Sequence, residues 1–94
     1  MVTHIVLLQP KPEITNEEIQ AALSHVEALQ HSIPGIIDVQ VGENLSANQP
    51  YPYGFVMRFT DLDRLKGYAP HPSHRVVSDE LRRICSSIVD FDMM

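Results

Sequence analysis

Apolar and polar residues alternate along this chain with two different periods, and each change of period marks an element. Val2 to Leu8 is apolar on both sides of an extended backbone. Val2, Val6 and Leu8 share one side with His4, and Ile5 and Leu7 take the other. A strand of that kind needs cover on both faces. Lys11-Pro12-Glu13 ends it. From about Asn16 to Ser32 the period becomes helical, with Ile19, Ala22, Leu23, Val26, Leu29 or Gln30, and Ile33 along one stripe. Thr15-Asn16-Glu17-Glu18 supplies the start as a capping box, and Pro34-Gly35 supplies the stop.

Ile37, Val39 and Val41 alternate with Asp38 and Gln40, which predicts a strand with one strongly apolar face. A polar loop with two prolines runs from Asn44 to Pro52. Tyr53, Phe55, Met57 and Phe59 alternate with Gly54, Val56 and Arg58 in a third strand. Asp61 then caps a short helix through Leu65 to Tyr68. Ala69-Pro70-His71-Pro72 interrupts it, and Pro72 suits the first position of a new helix, where no N–H is needed. That helix carries His74, Val77, Leu81 and Ile84 or Cys85 on one face, and Arg75, Asp79, Arg82 and Arg83 on the other. Ile88 to Phe91 forms the last strand. The order β-α-β-β-α-β predicts an α+β domain over residues 1–94, a ferredoxin-like fold with a four-stranded antiparallel sheet.

Such a sheet has helices on one side only. The other side would carry Ile5, Leu7, Val56 and either Val89 or Phe91, beside the polar Gln40 and Arg58. Burying an apolar side chain of this size contributes about 1.5–3 kcal/mol. Four of them amount to a large share of a small domain's stability. A second copy packed sheet to sheet is the simplest cover, so a homodimer through the open face is expected.

Composition narrows the function classes. The net charge of −5 comes from twelve acids against seven bases, and only Arg82 and Arg83 adjoin. Without a basic stripe or interleaved aromatics, nucleic acid is an unsuitable partner. The early apolar run is too short for a membrane span or a signal core, so a cytoplasmic location is expected and no membrane partner. Cys85 is the single cysteine, which excludes an intrachain disulfide. Asn44-Leu45-Ser46 is taken as a chance glycosylation match. The chain has no glycine-rich phosphate loop, and no cofactor is expected.

The segment Tyr68-Ala69-Pro70-His71-Pro72-Ser73-His74 holds most of the candidate chemistry. His74 lies three residues before Val77 and seven before Leu81, so it faces inward. Tyr68 ends the preceding helix, within reach of the same space, and His4 shares a strand face with Val6 and Leu8. Three groups that move or polarise protons near neutral pH, set among aliphatics, suit acid–base work on a carbonyl compound. The plainer reading makes His74 a satisfied core histidine and Tyr68 a rim residue. A zinc set of His4, His71 and His74 is disfavoured, because His71 precedes Pro72 and sits outside the helix as its cap. His25 and His31 read as surface residues, and Cys85 as a small buried hydrophobe on the last helix.

Beyond these local signals the whole chain resembles the stress-responsive α/β barrel (Dabb) family. The resemblance rests on Thr3-His4-Ile5-Val6-Leu7-Leu8, Ile33-Pro34-Gly35, Val41-Gly42 and Gly54 with its aromatic strand. It rests further on Asp90-Phe91-Asp92 and, most specifically, on Tyr68 followed by His71-Pro72-Ser73-His74. It implies a ferredoxin-like fold that dimerises through its sheets into a barrel. In the family's plant olivetolic acid cyclase, a tyrosine and the second histidine of this element form the catalytic pair. The matching residues are Tyr68 and His74, with His4 matching a pocket histidine. Pocket walls are then expected from Val6, Leu8, Leu23, Val26, Val39, Phe55, His71, Val77, Cys85 and Ile88. The cyclase's pocket aromatics fall at Ala22, Leu23, Val26 and Cys85 here, so its substrate is not carried over. Some relatives hold a cation through carbonyls near the end of the first helix, which would be Leu29 to Ile33.

Three readings stand at this point. The pocket does acid–base chemistry of a cyclase or lyase type, it binds a small apolar or carbonyl ligand without turnover, or the chain is a stress-protective oligomer.

Overall fold

Thr15 accepts a hydrogen bond from the Glu18 N–H at 3.2 Å, and the Glu18 carboxylate accepts from the Thr15 N–H at 3.3 Å. This reciprocal cap opens helix α1 (Asn16–Ser32) at the predicted residue. At its far end Gly35 turns the chain with φ +93°, a conformation that side chains with a Cβ rarely adopt, and β2 (Ile36–Glu43) follows. The computed structural model describes residues 1–46 and 48–94. The remaining elements are β1 (Val2–Pro10), β3 (Tyr53–Phe59), α2 (Leu62–Tyr68), α3 (Pro72–Ile84) and β4 (Cys85–Met93).

The four strands form one antiparallel sheet in the order β2-β3-β1-β4, the ferredoxin-like topology. Directly paired residues of neighbouring strands share a face. Pairing of Val2 with Phe59 and of His4 with Met57 sets one face toward the helices. Val6, Leu8, Met57 and Phe59 there pack with Leu23, Val26 and Leu29 of α1 and Val77 and Leu81 of α3 in one buried core.

Three boundaries differ from the sequence reading. Ile37 does not alternate with Val39: a bulge between the Ile36–Phe59 and Asp38–Arg58 pairs turns Ile37 outward, and Ile36 takes the buried place. The last strand spans Cys85–Met93 rather than Ile88 to Phe91. Cys85 is not a helical residue: it caps α3 with φ −107° and ψ 140° and begins β4. Helix thus passes into strand with no loop, which leaves no turn residues in the sequence to mark the change.

The face away from the helices pairs Ile5 with Val56 and Phe91, and Leu7 with Gly54 and Val89. Both Val89 and Phe91 belong to it, and Phe91 is 59% exposed. Arg58 and Asp38 pair on the same face, Arg58 Nε donating to Asp38 Oδ1 at 2.8 Å. No helix among the described residues is long and apolar enough to cross a membrane.

Candidate functional site

Two prolines bring Tyr68 and His74 together. Asp61 caps α2 by accepting from the Arg64 N–H at 2.9 Å, and Tyr68 is the last residue of that helix. The His71 N–H donates to the Tyr68 carbonyl at 3.1 Å, which folds the chain back on itself. His71 is then extended (φ −64°, ψ 134°), as the residue before a proline prefers. Its Nδ1 accepts from the Ser73 N–H at 3.1 Å and caps α3, with Pro72 in the first turn. The first turn of α3 carries His74, whose ring centroid lies 4.1 Å from that of Tyr68 at an interplanar angle of 48°.

His74 Nδ1 lies 2.9 Å from the Ala69 carbonyl oxygen. A carbonyl only accepts, so Nδ1 carries the proton and Nε2 of the neutral ring holds a lone pair. Burial pushes the His74 pKa below its ordinary value. The Ala69 hydrogen bond works the other way, and the charges of His4, Arg82 and His71 lower it further. Burial pushes the Tyr68 phenol well up, so it stays a neutral donor. Its hydroxyl makes no hydrogen bond to another described residue, yet it is not among the buried groups lacking a partner. The hydroxyl therefore meets open space, although the residue as a whole is buried.

His4 approaches from the sheet. Its strand lies between β3 and β4, opposite Met57 on one side and Asp92 on the other. The His4 Nδ1–H donates to the Asp92 carboxylate. The ring stands edge-on to Tyr68 at 5.7 Å, and to Phe55 and Phe59 at 6.2 and 6.4 Å. Asp92 thus fixes both the tautomer and the orientation of an imidazole that is only 7% exposed.

These groups line a cavity of about 630 Å³ between the β1–β4 half of the sheet and helices α2 and α3. Of the residues expected to line a pocket, His4, Tyr68, His74, Val6, Phe55, Val77, Cys85 and Ile88 are on its wall. The wall does not include Leu8, Leu23 or Val26, which are consumed in the core. Val39 packs against that core from β2, the edge strand farthest from β4. His71 is spent as the cap of α3. Cys85 is an apolar wall residue, its thiol pKa raised by burial and drawn back somewhat by Lys11. Away from the cavity, His25 is exposed on α1 and bonds Glu80 of α3 at 2.7 Å.

Sequence reading names Asp90 and Asp92 only within the family match and puts Arg82 on the helix face opposite His74, yet all three reach the cavity. A signal was present for the aspartates: they alternate with Val89 and Phe91, and so fall on the His4 side once β4 pairs with β1.

The profile of the stress responsive A/B barrel domain matches residues 2–94. The chain belongs to that family. Among solved structures, this A/B barrel protein is similar to a dimeric ferredoxin-like protein of unknown function from Jannaschia sp. CCS1. The two are 31% identical over 99% of this chain and 97% of that one, with a TM-score of 0.86. A protein from Arabidopsis thaliana is similar in fold, with a TM-score of 0.93 at 20% identity, over 100% of this chain and 94% of that one. So is the hydroxynitrile lyase from Passiflora edulis, with a TM-score of 0.90 at 18% identity, over 98% and 90%. No curated protein matches this A/B barrel chain in sequence.

Proposed function

We propose that this protein is a homodimer whose cavity takes a small, largely apolar carbonyl compound and moves a proton on it. His74 is the general base and Tyr68 the hydrogen-bond donor to the carbonyl oxygen. The observation that carries the reading is the His74 tautomer. With Nδ1 committed to the Ala69 carbonyl, Nε2 is the basic atom, and the ring is neutral at physiological pH because burial depresses its pKa. Nε2 removes a proton from the carbon beside the carbonyl, the C–H electron pair moves into the carbon–carbon bond, and the carbonyl π pair moves to oxygen. The Tyr68 hydroxyl stabilises that oxygen as it gains charge. His4, held by Asp92, is the third polar group of the wall. In the enolate, the α-carbon attacks a second carbonyl of the same substrate, whose π pair moves to oxygen and takes up the proton held by His74, so a ring closes without a redox cofactor. A lyase on the same fold, from Passiflora edulis, is compatible with this class of reaction.

The homodimer rests on the open sheet face, where Phe91, Val89 and Leu7 are exposed and whose burial would contribute several kcal/mol. The 31% identical Jannaschia protein is described as dimeric. A single buried thiol suits a reducing compartment, and the proposal sets the protein in the cytoplasm.

The test is turnover of ketones, β-dicarbonyl compounds and acyl thioesters of rising chain length, with product read by mass spectrometry. Wild-type protein is expected to form product, and His74→Gln to lose it by about 10²–10⁴-fold, the usual contribution of a positioned base. Saturable binding without turnover would replace this reading with a non-catalytic ligand carrier.

A further inference from the structure

We propose that His4, Asp90 and Asp92 form a binding site for one divalent transition-metal ion, of the Zn²⁺ or Mn²⁺ class, on the sheet wall of the cavity. An imidazole nitrogen of His4 and one oxygen from each carboxylate all lie within 4.8 Å of one another. Ligands at about 2.0–2.2 Å from a metal stand roughly 3–4 Å apart; a metal held through Nδ1 takes the place of the proton that His4 now donates to Asp92, and that proton leaves to solvent.

Two features distinguish this group from a chance cluster of surface acids. The first is the frame. His4 is opposite Asp92 and Val6 opposite Asp90 in the antiparallel β1–β4 ladder, so the three side chains leave one face of two hydrogen-bonded strands. The nitrogen donor is a buried imidazole, whose ring is already wedged against Phe55, Phe59 and Tyr68. The second is charge. Asp92 is bonded to His4 and Asp90 lies beside them, and among the described residues neither carboxylate forms an ion pair with a lysine or arginine. Arg82 lines the same cavity without bonding to either. A dication neutralises that pair, and the cavity leaves room for water at its open positions. One imidazole with two carboxylates is a mixed N/O set, which suits Zn²⁺, Mn²⁺ or Co²⁺, whereas Ca²⁺ and Mg²⁺ favour all-oxygen ligands.

The site uses neither Tyr68 nor His74, so it stands or falls apart from the acid–base reading. The probe is Mn²⁺ titrated into uniformly ¹⁵N-labelled protein, with amide line broadening as readout. Saturable broadening centred on His4, Asp90 and Asp92, reversed by Zn²⁺, is expected. Asp90→Asn with Asp92→Asn should weaken it at least tenfold, and His74→Gln should leave it unchanged. Both aspartates are exposed, and Asp90→Asn alone serves if the double variant unfolds. Absence of saturable broadening, broadening spread over other acidic residues, or full retention in the aspartate variants would overturn the proposal.

Discussion

The rings of Tyr68 and His74 lie 4.1 Å apart, centroid to centroid, across a two-proline break that ends one helix and begins the next. Local caps set the two helices that carry these rings, and Tyr68 packs in addition on Phe59 and His4 of the sheet. Asp61 starts the helix that ends in Tyr68, and His71 starts the one that carries His74. The pair is therefore a property of about fourteen consecutive residues, 61–74, while the third group, His4, comes from the other end of the chain.

Removing only the Tyr68 hydroxyl separates its chemistry from its packing. Tyr68→Phe keeps the ring against Phe59, 5.2 Å away, so unfolding free energy should change by less than about 1.5 kcal/mol. Turnover of a confirmed substrate should fall by about 10²–10³-fold, as for loss of one oxyanion donor. Tyr68→Ala empties a buried site and should cost about 3–5 kcal/mol. Denaturant melts beside steady-state rates would distinguish the two variants.

The depressed His74 pKa sets a pH dependence with a definite sign. The neutral base is the active form, so kcat/KM should rise through a limb centred below pH 6.5 and then stay flat, because the Tyr68 phenol titrates above its ordinary range. Arg82 is one of the charges holding the His74 pKa down; Arg82→Gln should move the limb to higher pH. Stability follows the same group. The unfolded chain binds the His74 proton more readily than the folded one, so acidification from pH 6.5 down to the folded pKa destabilises the protein. A pH–rate profile and urea melts at matched pH values measure both effects.

How much of this was legible in the chain depended on whether a local signal existed. Helix α1 could be read to the residue because Thr15 and Glu18 mark its start and Pro34-Gly35 its stop. The α3–β4 junction could not, because Cys85 is a helix cap and a strand start at once, and no glycine or proline separates the two. The bulge at Ile37 hid behind an unbroken alternation of apolar residues. In the site, Tyr68 and His74 followed from helical spacing, whereas the Asp92 partner of His4 lies 88 positions away and is set by strand register. The family resemblance puts Leu23 and Val26 at the pocket, but packing of α1 against the sheet spends them in the core.

The open sheet face should be a dimer contact. Sedimentation of the wild-type protein is expected to give twice the 10.6 kDa chain mass. Phe91→Glu with Val89→Glu puts two like charges on that face and should yield a folded monomer. A wild-type protein that sediments as a monomer at micromolar concentration would remove the dimer.

Gly54 offers a check on the β1–β3 contact. A Cβ there would stand 2.8 Å from the Val6 carbonyl oxygen, which is backbone and cannot rotate away. Gly54→Ala should therefore destabilise by about 1–3 kcal/mol. At Gly42 an added Cβ meets nothing within 4 Å, so Gly42→Ala should change thermal stability little.

Solvent-proton exchange tests the central claim most directly, because it needs no knowledge of the final product. A medium-chain ketone or acyl thioester is incubated with the protein in D₂O, and loss of the proton beside the carbonyl is followed by NMR. Wild-type protein should accelerate that exchange, His74→Gln should abolish the acceleration, and Tyr68→Phe should reduce it. Exchange at the buffer rate with wild-type protein across the substrate series, or undiminished exchange in His74→Gln, would contradict the assignment of His74 as the base.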